Sequence, residues 1–151
     1  MNVLKMPFEK AVTALASAVW AACIIILIIF WADIPNRIPT HFGMSGQPDS
    51  WGGKASLVFL VMVGLGCDIL MAVCRRFPKT WNTGVRITEE NRERVYSLTA
   101  RMLGVIRLCM AFMFSYLIYC SAAAKSVNTP LLLALIFAPM LWYLVKIIKA
   151  K

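Results

Sequence analysis

Charge is what this chain lacks most. Only 15% of its 151 residues are Asp, Glu, Lys or Arg, against about 25% in soluble domains, while 60% are hydrophobic and the mean hydropathy is +0.72. That balance excludes an ordinary soluble domain. Histidine occurs once, at His41, and no Cys-x-x-Cys occurs. Zinc usually takes three or four protein ligands, and one His with Asp33 and Asp49 is a sparse, carboxylate-heavy set. Neither a metal nor a cofactor is expected. The five Cys (Cys23, Cys67, Cys74, Cys109, Cys120) fall inside apolar segments, where free thiols pack as small hydrophobes. The net charge of +9 would suit nucleic acid if the cations made one patch. They border the apolar runs instead, so nucleic acid is not an expected partner.

What is present is long apolar sequence. A hydrocarbon core takes about 20 apolar residues at about 1.5 Å each, and four helices fit that length, over about 11–31, 55–74, 89–124 and 130–148. The expected fold class is all-α, a four-helix transmembrane bundle making one polytopic domain over 1–151. The first run is too long for the apolar region of a cleavable signal and reads as a retained span. Ala14, Ala18 and Ala22 within it have the small-residue spacing that lets helices approach closely in lipid, so that face should meet another helix. Thr88 caps a third helix beginning at Glu89, with Glu89 and Glu90 at the positive end of its dipole. Pro139, inside the fourth run, should kink it.

Orientation follows from the cations. With both termini cytoplasmic, the inner segments hold eleven Lys or Arg and the outer ones only Arg37, Lys54 and Lys125, which is the asymmetry of the positive-inside rule. The polar stretch Ile34–Lys54 then faces outward. It holds the one His, three of the seven Pro and four of the eight Gly, residues that shape a loop rather than loosen it.

His41 and Asp49, eight residues apart, can meet if the glycines fold the loop back. One reading is a hydrogen bond that locks the loop, with Trp51 as an interfacial anchor and Lys54 reaching along the membrane border. The other is a site for a lipid head group or an extracellular peptide, in which His41 and Lys54 supply charge and Trp51 a platform. A triad can be drawn from His41, Asp49 and Ser45 or Ser50, but no nucleophile motif accompanies it, so no enzyme is expected.

The spacing P-x-x-I-P-x-H-F-G-x-x-G-x-P-D-x-W-G-x-K from Pro35 to Lys54 closely resembles the signature of the bacterial membrane domain of unknown function 1648, which also forms the amino-terminal part of a toxin-immunity protein. Ile87–Leu103, ITEENRERVYSLTARML, is similar to a segment of single-domain members. The resemblance implies a multi-pass protein of the bacterial plasma (inner) membrane with an immunity-like role. Its signature positions here are Pro39, His41, Phe42, Gly46, Asp49, Trp51 and Lys54. It also hints at a cytoplasmic protein partner at 87–101, where Arg92, Glu93 and Arg94 face out and Val95 and Leu98 face in.

Two charges lie within the apolar runs at matching depth. Asp68 is about 10 Å from one border and Arg107 about 13 Å. A lone charge there costs several kcal/mol, so the expectation is an Asp68–Arg107 ion pair, with Arg101 as the alternative partner. The pair either sets helix register or marks an ion or proton path. Two functions therefore compete: an immunity-like or sensing membrane protein working through the outer loop, and a small transporter or transporter subunit built on Asp68 and Arg107.

Overall fold

The computed structural model describes residues 7–150; Lys5 and Lys151, counted among the inner cations above, lie outside them. Four helices dominate: α1 (Pro7–Ile29), α2 (Ser56–Cys74), α3 (Arg92–Ala122) and α4 (Thr129–Ile148). Each is long and apolar enough to cross a membrane. Their outer faces carry Ile25, Ile28, Phe59, Leu70, Leu141 and Trp142, all more than half exposed. Water would penalise so large an apolar surface, whereas lipid does not. The chain is a multi-pass membrane protein.

The fold is not all-α. Between α1 and α2 the expected loop is an antiparallel hairpin, β1 (Arg37–Phe42) and β2 (Pro48–Gly53). Pro39 and Pro48 fit because a two-stranded ribbon has only edges, where a missing N–H can face away from the ladder. The third helix also starts later than Glu89. Thr88 does cap, its Oγ1 accepting from Asn91 N at 3.3 Å while Asn91 Oδ1 accepts from Thr88 N at 2.8 Å. That reciprocal pair closes one turn, and continuous helix runs from Arg92. Pro139 lies within α4 without ending it, and α4 opens on Asn128, whose side chain accepts from Leu131 N at 3.0 Å.

Helix α3 is the hub, against which α1, α2 and α4 each pack. The buried stripe of α1 is Glu9, Val12, Ala16 and Trp20, a helical spacing that presents one face. The Ala14, Ala18 and Ala22 face is not the one used: all three are exposed. Ala14 and Ala18 lie two residues from Ala16, which at about 100° per residue puts them on the far side. Gly64 is where three helices meet. A Cβ there would sit 2.3 Å from the Trp20 ring and 2.9 Å from Phe114, and those two rings pack at a tilt of 35° with 6.1 Å between centroids.

This core extends upward into the hairpin. Ile34, Ile38 and Leu57 join Ala16, Trp20, Ala111, Phe114 and Ile118 in one buried cluster. A smaller cluster at the opposite end joins Val95 of α3 to Ile147 and Ala150 beside Val85, Ile87, Leu98 and Met102. The apolar face of 87–101 is thus covered by the end of α4, leaving Arg92, Glu93 and Arg94 exposed.

Candidate functional site

The hairpin is built by two compensating irregularities. Pro39 pairs with Trp51 and His41 with Ser50, so Thr40 is an extra residue on β1; His41 with Ser50 and Phe42 with Pro48 make Asp49 an extra residue on β2. Such bulges re-aim side chains. Here they bring His41 Nδ1 to 2.6 Å from Asp49 Oδ1 across the ribbon, with both side chains more than half exposed. Thr40 Oγ1 donates to Ser50 Oγ at 3.4 Å, and among the described residues no side-chain hydrogen bond joins His41 to Ser45 or Ser50. Nor does any group of three His, Cys, Asp or Glu there converge to hold a metal ion.

Three ties fix this exposed pair to the bundle. At the base, Lys54 Nζ donates to the carbonyls of Trp31 at 3.2 Å and Ile34 at 3.5 Å and stands 5.3 Å from the Trp31 ring centre. The ammonium satisfies carbonyls just past the end of α1, which otherwise have no helical partner. In the middle, Ile38 and Pro39 are buried, while Phe42 is half-buried. At the tip, Gly43 O accepts from Gly46 N at 2.8 Å, and Gly46 O accepts from Val127 N at 2.8 Å in the α3–α4 turn. Gly46 has φ +79°, and a Cβ on it would come 2.0 Å from Val127 O, so glycine is required twice over. Gly43 leaves room for Asp49, whose Oδ2 lies 3.2 Å from where a Gly43 Cβ would stand.

The signature residues therefore divide. Pro39, Gly46 and Lys54 hold the hairpin, whereas His41, Asp49 and Trp51 display side chains outward. Arg37, which the sequence reading left aside, lines an open cleft of about 320 Å³ with Trp51.

Residues 18–65 match the family model of a domain of unknown function, DUF1648. The matched segment runs from the middle of α1 through the whole hairpin to the middle of α2, and the resemblance carried by Pro35–Lys54 is to this same domain. No curated protein and no solved structure matches the chain.

The second constellation lies toward the other end of the bundle. Arg107 Nε donates to Asp68 Oδ1 at 3.0 Å and Nη2 to Oδ2 at 2.7 Å, the two-pronged geometry that suits a guanidinium and a carboxylate. Arg101 is not Asp68's partner; its guanidinium lies 5.6 Å from the Phe8 ring centre. A second buried pair went unread in the sequence. Arg75 Nη2 donates to Glu9 Oε2, and its Nη1 to Thr13 Oγ1 at 3.4 Å. Glu9 and Arg75 looked like solvated charges at one membrane border, and the only signal was that the start of α1 and the end of α2 must lie at that same border. Gly104 makes the room: a Cβ there would stand 3.2 Å from Glu9 Oε2 and 3.3 Å from Arg75 Nη2. Burial first, and then the charge of Arg107, push the Arg75 guanidinium below the usual arginine range. Two acids and two guanidiniums thus balance among α1, α2 and α3.

Proposed function

We propose that this is a small non-enzymatic protein of the bacterial plasma membrane whose hairpin recognises an extracytoplasmic or membrane-embedded agent, in the manner of an immunity or sensing protein. The observation that supports it is the contrast within the hairpin. Its backbone is tied at base, middle and tip, yet His41, Asp49 and Trp51 point outward, which is the arrangement a binding surface needs to avoid ordering costs. The orientation has both termini cytoplasmic. Among the described residues Arg37, Lys54 and Lys125 are at the hairpin end, while nine Lys or Arg (Lys10, Arg75, Arg76, Lys79, Arg86, Arg92, Arg94, Lys146, Lys149) are at the other, and positive loops stay inside. A cytoplasmic protein partner at 87–101 would meet the charged Arg92–Arg94 face.

The competing reading, transport through the bundle, draws on Asp68 and Arg107. Their mutual two-pronged pairing favours a structural lock over an ion path. The test is a deletion strain challenged with a panel of membrane-active peptides and complemented with wild type, His41→Ala or Asp49→Ala. Protection by wild type that either variant loses while still accumulating in the membrane supports the hairpin. Equal protection by all three overturns it.

A further inference from the structure

The two buried acids of the bundle are both taken. Asp68 is bound by Arg107 and Glu9 by Arg75, which leaves a third guanidinium, Arg101, with no acid partner among the described residues. Arg101 is only partly exposed, and its Nε is buried without a hydrogen-bond partner. It lies three residues before Gly104, the position beside Glu9 and Arg75, and so about 4.5 Å nearer the starting end of α3. Its guanidinium stands 5.6 Å from the ring centre of Phe8 in the first turn of α1, and its charge bears on Tyr143 toward the end of α4. The group therefore sits at one membrane border, on α3 between α1 and α4.

The surroundings do not supply the missing anion. At this end of the bundle the described residues hold eleven Lys or Arg against five acids. Glu9 and Asp68 are in the buried pairs, Glu89 is bound to Arg92, and Glu90 and Glu93 are exposed. With every one of these groups keeping its charge, the sum stays strongly positive. One turn beyond Tyr143, Lys146 is exposed with its Nζ 3.5 Å from the Trp142 ring centre. Phe8 and Trp142 are 40% and 54% exposed, so these cations stand among apolar side chains that face lipid rather than water. A guanidinium and an ammonium at that depth are complementary to the phosphate of a lipid head. A zwitterionic head would bring a further cation to an end already rich in them, whereas an anionic head brings none.

We propose that Arg101 binds the phosphate of an anionic phospholipid in the leaflet at this end of the bundle, the cytoplasmic one in the orientation given above, with Lys146 as a second contact. The guanidinium fork suits phosphate oxygens, and the lipid supplies the counter-charge that the chain itself does not. The site lies at the opposite end from the hairpin, so hairpin variants that lose protection leave this binding unchanged.

The test is native mass spectrometry of the purified full-length protein in a neutral detergent, titrated with phosphatidylglycerol or phosphatidylcholine of the same acyl chains and read as the affinity for the first lipid bound. Wild type should prefer phosphatidylglycerol by about fivefold or more, the worth of one basic contact to an anionic head. Arg101→Gln should bring the two lipids level. Lys79→Gln, which removes the same charge from an exposed position at the same end, should keep the preference. Phe8→Glu, which sets a carboxylate beside the guanidinium, should also level the lipids, and it decides the matter if Arg101→Gln does not fold. Glycerol phosphate in excess, a head without chains, should displace no lipid. Equal affinities in wild type would overturn the proposal, as would a preference that survives Arg101→Gln or Phe8→Glu, an equal loss in Lys79→Gln, or displacement by glycerol phosphate.

Discussion

Removing one member of the Asp68–Arg107 pair should unfold the bundle far more readily than removing both. The side chains are 12% and 7% exposed and joined by two hydrogen bonds at 3.0 and 2.7 Å. Asp68→Ala leaves a largely buried guanidinium without its partner, and losing one partner of a buried pair costs about 3–5 kcal/mol. Arg107→Ala strands the carboxylate in the same way but should be the milder change, because it also removes the like charge that bears on Arg75. With both replaced no lone charge remains, and the loss falls to about 1–3 kcal/mol of packing. The singles would then sum to at least about 6 kcal/mol, leaving a coupling of about 3 kcal/mol or more. The assay is reversible unfolding of purified protein in mixed micelles, titrated with dodecyl sulfate and followed by helicity. Losses that add to within about 0.5 kcal/mol, the behaviour of independent sites, would refute the reasoning.

Other perturbations separate the remaining roles. Gly46→Ala puts a methyl against Val127 O and a side chain at positive φ, so it should destabilise by more than about 1 kcal/mol and speed amide exchange at Val127, while His41→Ala, on an exposed pair, should cost only about 0–1 kcal/mol. Glu9→Gln removes the charge that balances Arg75 and should cost about 3 kcal/mol, with Gly104→Ala also destabilising by crowding the pair; a Glu9→Gln protein as stable as wild type would remove that pair from the account. Met44, the most exposed large hydrophobic side chain of the hairpin, should become labelled by a membrane-impermeant thiol reagent on intact cells when changed to Cys, whereas Lys149→Cys should not; the reverse pattern would invert the orientation.

The helices were legible because lipid demands what a composition window measures, and an unbroken apolar run has few other solutions. The Asp68–Arg107 pair was legible for the same reason, since a charge in such a run must find its opposite at the same depth. The hairpin was only half legible. Pro and Gly announced a shaped segment, but strand pairing with two offset bulges is set by how the α1–α2 connection closes over Ile38 and Val127, contacts distant in sequence. The α1 face was misread because small-residue spacing names a surface able to pack, and the bulkier stripe through Trp20 instead fits the gap left by Gly64. Glu9 and Arg75 were missed because a charge at the end of an apolar run needs no partner if water is near, and only the closeness of α3 at Gly104 removes that water.

The two families of charged pairs bear on function in opposite ways. Asp68–Arg107 and Glu9–Arg75 each satisfy the other's charge inside the bundle, and moving an ion past them would require breaking contacts that hold three helices together. His41–Asp49 is exposed, and its loss should disturb little of the fold. On the function proposed above, this exposed pair, aimed by two bulges, serves what it meets outside the chain. Stability measurements and protection assays should therefore respond to different residues: Asp68, Arg107, Glu9 and Gly46 to the first, His41, Asp49 and Trp51 to the second. A His41→Ala protein that lost stability as heavily as Asp68→Ala would erase that division and return the hairpin to a purely structural part.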